Sequence, residues 1–158
     1  MSISADQLRE YIVDPVLKKM DLYSDAASNL MMGTCAQESE MGSYLHQING
    51  PALGIFQMEP ATFQDCYDNF LKFKPDIAYK VASFCQYKQA EEMLHNLNYA
   101  CAMARIKYLR SPAPLPIATD IEGLAVYWKQ WYNGNTGKGT PTEFVNNYKR
   151  YVMKIYGI

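Results

Sequence analysis

One carboxylate stands where its surroundings would change its chemistry. Ala27, Leu30, Met31, Thr34 and Cys35 recur at three- and four-residue steps, the stripe of an amphipathic helix. The next step of that stripe is Glu38, and Gly42 shortly after it predicts the end of the helix. A carboxyl on the buried face near a helix C-terminus is disfavoured as an anion twice. Desolvation opposes the charge, and so does the negative end of the helix dipole. The expected form near neutral pH is the protonated acid, which is what a general acid needs. Periodicity alone also allows a plain helix-end glutamate capped by backbone or by an arginine. Glu40 falls on a different face of the helix and reads as a solvated or substrate-rim residue. Asp65 and Asp68 read as surface residues of the following helix. His46 and His95 lack metal-ligand spacing, so no metal or cofactor is assigned.

The elements that must position this acid follow from capping and breaking signals. Ser4 with Gln7 forms a capping-box pattern, and Asp14-Pro15 restarts or kinks the helix it opens. Ser24 or Asp25 caps the helix that carries Glu38. Residues 41–60 lack a helical period and hold Gly42, Gly50, Pro51 and Gly54, a pattern for an irregular or short β-hairpin segment. Pro60 opens a helix through Phe63, Cys66, Tyr67 and Phe70. Ile77 to Phe84 is helical, and Gln89 to Arg110 reads as one long central helix. Asp120 or Thr119 opens a helix through Trp128 and Tyr132 that Asn133-Gly134 ends. Thr140-Pro141-Thr142-Glu143 is a strong helix start, and the last helix is expected to reach about Tyr156. The fold class is mainly α, a single domain over residues 1–158 with residues 1–23 as an N-terminal helical extension.

Bulk properties narrow the function classes. A chain of 158 residues with 49% hydrophobic and 20% charged residues can bury the core of one domain. A net charge of −1 gives no basic surplus for nucleic acid or for an anionic membrane. Thirteen Tyr and two Trp suit a sugar-binding cleft, and suit an ordinary core equally. Cys35, Cys66, Cys85 and Cys101 all fall in predicted helices with no Cys-x-x-Cys pair, so buried free thiols made in a reducing compartment are expected. Asp6, Arg9, Glu10 and Asp14 interrupt any apolar leader, and no apolar run is long enough to span a bilayer.

Glu38-Ser39, with Gln57 of Gly54-Ile-Phe-Gln-Met-Glu-Pro60 nineteen positions after the acid, resembles the paired motifs of the lytic transglycosylase and goose-type lysozyme-like superfamily. Asn98-Tyr99-Ala100 with Tyr108-Leu109 resembles the third motif of that family, and Ala125 to Tyr132-Asn133-Gly134 the fourth. The resemblance spans about residues 24 to 152. It implies a lysozyme-like α+β fold and Glu38 as the single acid and base. It implies Ser39 as a structural residue at the helix end, and Gln57, Tyr132, Asn98, Gln47 and Gly54 as residues at or near the substrate. The Tyr132 hydroxyl is expected to reach Glu38. The chain departs from the pattern at Gln47, where the family carries a serine, and at Phe56 and Glu59.

The implied reaction is cleavage of the β-1,4 bond between N-acetylmuramic acid and N-acetylglucosamine in peptidoglycan. The product would carry a 1,6-anhydro ring, because the substrate's acetamido group replaces a second carboxylate. The implied partners are glycan strands, with no nucleic acid and no membrane insertion. Lack of a visible export signal fits a bacteriophage product made in the host cytoplasm, acting on the cell wall and associating with other virion proteins. Three alternatives stand beside it: a hydrolytic muramidase of the same fold, a catalytically silent phage structural or glycan-binding subunit, and a helical adaptor domain.

Overall fold

Four short polar side chains decide where the longer helices begin. In the computed structural model, which describes residues 1–156, Ser24 accepts from the Ala27 N–H at 3.0 Å and opens α3 (Asp25–Ser39). Asn96 accepts from Tyr99 and opens α6 (Leu97–Leu109). Asp120 accepts from Gly123 ahead of α7 (Ile121–Trp128), and Thr140 from Glu143 ahead of α8 (Pro141–Asn147). Each cap satisfies an N–H that the helix itself leaves unpaired, a contribution of about 1 kcal/mol. α4 (Pro60–Asn69) and α5 (Pro75–Ala82) begin instead with proline, whose fixed φ suits a first turn.

At the N-terminus, α1 (Ala5–Leu8) and α2 (Asp14–Lys19) are joined by a π-turn over Arg9–Val13. Pro15 has no N–H to give to the preceding turn, and the wider π-turn ahead of it absorbs that gap. The Ser4 hydroxyl makes no capping bond, so the expected capping box with Gln7 does not form. Leu8, Val13, Val16, Leu17 and Met20 are buried in the common core. The helical extension over residues 1–23 thus packs onto the same core as the later helices.

α3 and α6 are the buried axis. The expected stripe of α3 is buried, but so are Met32, Gly33 and Ala36 on its other side. A Cβ on Gly33 would stand 2.3 Å from the Phe144 ring, so glycine is what lets α8 cross α3 there.

Residues 89–110 do not form one long helix. Ala90–Leu94 is a 3₁₀ turn, and helical geometry lapses at His95 and Asn96 before α6 begins. The Asn96 side chain accepts from Tyr99 while donating to the Phe84 carbonyl at 2.7 Å and to Glu92 at 2.9 Å. An amide with that many local partners competes successfully with the helix ladder. The last helix also stops early: α8 passes into a π-turn over Tyr148–Val152, and Lys154 has φ +59°.

The segment expected as a β-hairpin forms no strand, and among the described residues the chain has none. Two isolated antiparallel bridges, His46 with Leu53 and Leu53 with Met58, are all that form. Met41, Gly42, Asn49, Gly54 and Gln57 all take positive φ, which turns the chain too often for a ladder to propagate. A Cβ on Gly54 would stand 2.4 Å from the Met93 carbonyl oxygen at a φ of +80°, so this position requires glycine. Cys35, Cys66 and Cys101 are buried free thiols in helices, whereas Cys85 lies outside any helix, just past α5, and is partly exposed. Among the described residues no helix is long and apolar enough to cross a membrane. The chain is mainly helical; residues 157–158 of the expected domain lie outside the described residues.

Candidate active site

Glu38 occupies the last turn of α3, and α3 ends where Glu40 adopts the left-handed conformation with φ +51°. Its carboxyl opens into a cleft of about 940 Å³ whose other walls come from the 41–59 loop, α6, α7 and α8. The residue keeps some surface, while the surrounding protein excludes most of the water around the carboxyl. That desolvation pushes the Glu38 carboxyl up to about 7. Two groups oppose the rise: the Trp128 indole, whose Nε1 donates to Oε1 at 3.1 Å, and the Lys107 ammonium. The result is a carboxylic acid poised to hold or release a proton near neutrality.

The elements around the acid are tied to one another through backbone carbonyls. Ser39 is fully buried; its hydroxyl donates to the Ile55 carbonyl at 2.6 Å and accepts from the Gly42 N–H at 2.9 Å. It binds the end of α3 to the loop and cannot touch a substrate. Tyr44 donates to the Glu38 carbonyl at 2.8 Å. The Tyr132 hydroxyl donates to the Phe56 carbonyl at 2.6 Å and not to Glu38, which corrects the expectation for that residue. The indole of Trp128, one turn earlier on the same helix, makes the bond to the acid instead. Tyr132 still contributes to the cleft wall, with its ring stacked on Tyr108 at 5.0 Å between centroids.

Gln57 and Gln47 line the cleft as expected. The Gln57 amide donates to the Gly54 carbonyl at 2.9 Å, and the Gln47 side chain accepts from the Ala52 N–H at 3.1 Å. Both bonds hold the turns of the loop, and both side chains face the space before Glu38. Gly54 is buried behind this wall and acts through the backbone alone. Asn98 is not in the cleft. It is exposed on the first turn of α6, beside a separate shallow depression with His95 and Ile12. Asp65 pairs with Arg110 and is held below the usual carboxylate range by that guanidinium, and Asp68 accepts from Gln64 on the surface.

Trp128, Lys107, Gln37 and Glu143 are among the cleft residues not anticipated from sequence. Trp128 lies four residues before Tyr132 on the same helical face, a spacing that would have flagged it. Lys107 is one of two cations, with Arg105, on a mainly apolar core helix, and it is the one that lines the cleft. Gln37 and Glu143 come together from α3 and α8, with Gln37 also accepting from Asn147 at 2.7 Å. Nothing in their spacing announces that meeting. Among the described residues no group of His, Cys, Asp and Glu side chains is arranged to hold a metal ion.

Compared with protein-family models, with curated proteins and with solved structures, the chain finds no match in any of the three.

Proposed function

We propose that this protein is a peptidoglycan-cleaving glycosidase of the lytic transglycosylase type, built on a lysozyme-like arrangement in which Glu38 is the acid and then the base. One observation carries the reading: a single carboxyl, raised to about 7 by burial, at the base of an open, mainly polar cleft. Protonated Glu38 would donate to the glycosidic oxygen as the bond to the sugar breaks. The carboxylate so formed would then take a proton as the next nucleophile attacks. In a transglycosylase that nucleophile is the sugar's own 6-hydroxyl, and the anhydro ring closes. Gln57, Gln47 and Tyr44 supply amide and hydroxyl groups along the wall.

A hydrolytic muramidase is the second reading, favoured by one feature. Glu59 and Glu143 line the same cleft, so a second carboxylate is available to direct water or to stabilise the sugar cation. Mass spectrometry of the soluble products from purified peptidoglycan, with Glu38→Gln in parallel, separates the cases. Anhydro-muramic ends absent with the variant would support the transglycosylase. Reducing ends would support the muramidase, and release of nothing by the unaltered protein would refute both.

A further inference from the structure

Lys107 is a half-buried cation whose position is over-determined. Its Nζ donates to the Tyr132 carbonyl at 2.5 Å and stands 4.1 Å from the centre of the ring of the same tyrosine. Tyr132 cannot swing away, because its hydroxyl is bonded to the Phe56 carbonyl and its ring is stacked on Tyr108. The ammonium is thus fixed in the wall of the cleft that holds Glu38 and Glu59, yet among the described residues it forms no ion pair. An ammonium removed from water without a paired carboxylate is disfavoured, and burial holds Lys107 below the usual lysine range. Packing does not require a charge at this position. The reaction proposed above gives a reason for one.

We propose that Lys107 is a positioning residue for Glu38: its ammonium, clamped by Tyr132 near the acid but out of contact with it, lets the carboxyl ionise and so alternate between acid and base. The separation matters. A cation in direct contact would hold the carboxylate ionised, since an adjacent guanidinium or ammonium lowers a carboxyl by about one to three pH units. Without the cation, only the Trp128 indole would oppose desolvation, and Glu38 would hold its proton more tightly and recover its base form less readily. One further cation lines the cleft, Lys138 on the loop before α8, but it is exposed and is not among the groups that act on the Glu38 carboxyl. Tyr44, Tyr108 and Tyr132 are raised by burial and stay neutral, and so does the Cys66 thiol beside Lys107. Arg110 is engaged by Asp65, while Glu59 and Glu143 are further carboxylates of the cleft.

The proposal rests on the glycosidase reading, but its test does not. The Trp128 indole bonded to Glu38 makes tryptophan fluorescence a reporter of that carboxyl once Trp131 is replaced by Phe. In that background the titration midpoint is expected near neutrality, and Glu38→Gln should abolish it. Lys107→Met should raise the midpoint by at least about one pH unit, a tenfold gain in proton affinity, and Lys107→Arg should restore it. Lys107→Gln keeps a donor for the Tyr132 carbonyl while removing the charge. It should shift the midpoint as Met does, which a purely structural role would not, and it serves if Lys107→Met fails to fold. Midpoints unchanged in the folded neutral variants would overturn the role of Lys107 whether or not glycan is cut. A shifted midpoint in a protein that releases no glycan products would uphold Lys107 and overturn the glycosidase reading instead.

Discussion

Replacing Glu38 by glutamine should stabilise the protein above neutral pH and change little in acid. The folded chain holds the Glu38 proton more tightly than the unfolded chain does, with the carboxyl pushed from 4.5 up to about 7 by burial. A raised carboxyl contributes its full stability below the unfolded value. That contribution is lost as pH rises from about 4.5 to about 7, because the fold must then accept a desolvated anion. At about 1.4 kcal/mol for each pH unit, the loss is on the order of 3 kcal/mol, a large part of the stability of one domain. Glutamine removes the charge and retains an oxygen for the Trp128 indole. With a urea dependence of about 2 kcal/mol per molar, the variant midpoint should exceed the parent by on the order of 1.5 M at pH 8.5. At pH 4 the two midpoints should nearly coincide. Other titrating groups are common to both proteins and cancel in the comparison, except those that sense the Glu38 charge, Lys107 first among them. A difference that stays constant between pH 4 and pH 8.5 would show that Glu38 is not desolvated, and would remove the basis for treating it as an acid.

Other substitutions probe the scaffold and the limits of the site. Ser39→Ala leaves the buried Ile55 carbonyl without its donor and should cost about 1–3 kcal/mol in urea unfolding, with the Glu38 titration midpoint kept within a few tenths of a unit. Tyr132→Phe removes the bond to the Phe56 carbonyl and should cost about 1 kcal/mol, while product formation survives, since that hydroxyl does not touch the acid. Asn98→Ala should leave both glycan release and unfolding within about 0.5 kcal/mol of the parent, as expected for an exposed position outside the cleft.

What could be read from residue order was local. The three-and-four spacing from Ala27 to Cys35 placed Glu38 on α3, and Ser24, Thr140-Pro141 and Asn133-Gly134 marked ends that the structure keeps, because caps and breakers act within a few residues. The desolvation of Glu38 was also foreseeable, since it follows from continuing a buried stripe by one step. Residues 89–110 show where local reading stops. Their apolar register allowed one helix, and Asn96, by engaging the Phe84 carbonyl and Glu92 while capping Tyr99, broke it. The 41–59 loop likewise reads as a hairpin until its left-handed turns are placed against Met93 and the end of α3.

The site itself was divided between the two levels. The sequence by itself placed Glu38 on its helix, because the stripe lies within one continuous stretch, whereas the loop glutamines were legible only through the family resemblance. Tertiary structure decided which side chain touches the acid, Trp128 and not Tyr132. It also decided that Lys107 shares the cleft and that Asn98 does not. Those outcomes depend on how α6, α7 and α8 cross α3, and crossing is set by close packing such as Phe144 against Gly33. Contacts between residues some seventy to ninety positions apart leave no periodic trace in the chain, so only the folded arrangement specifies them.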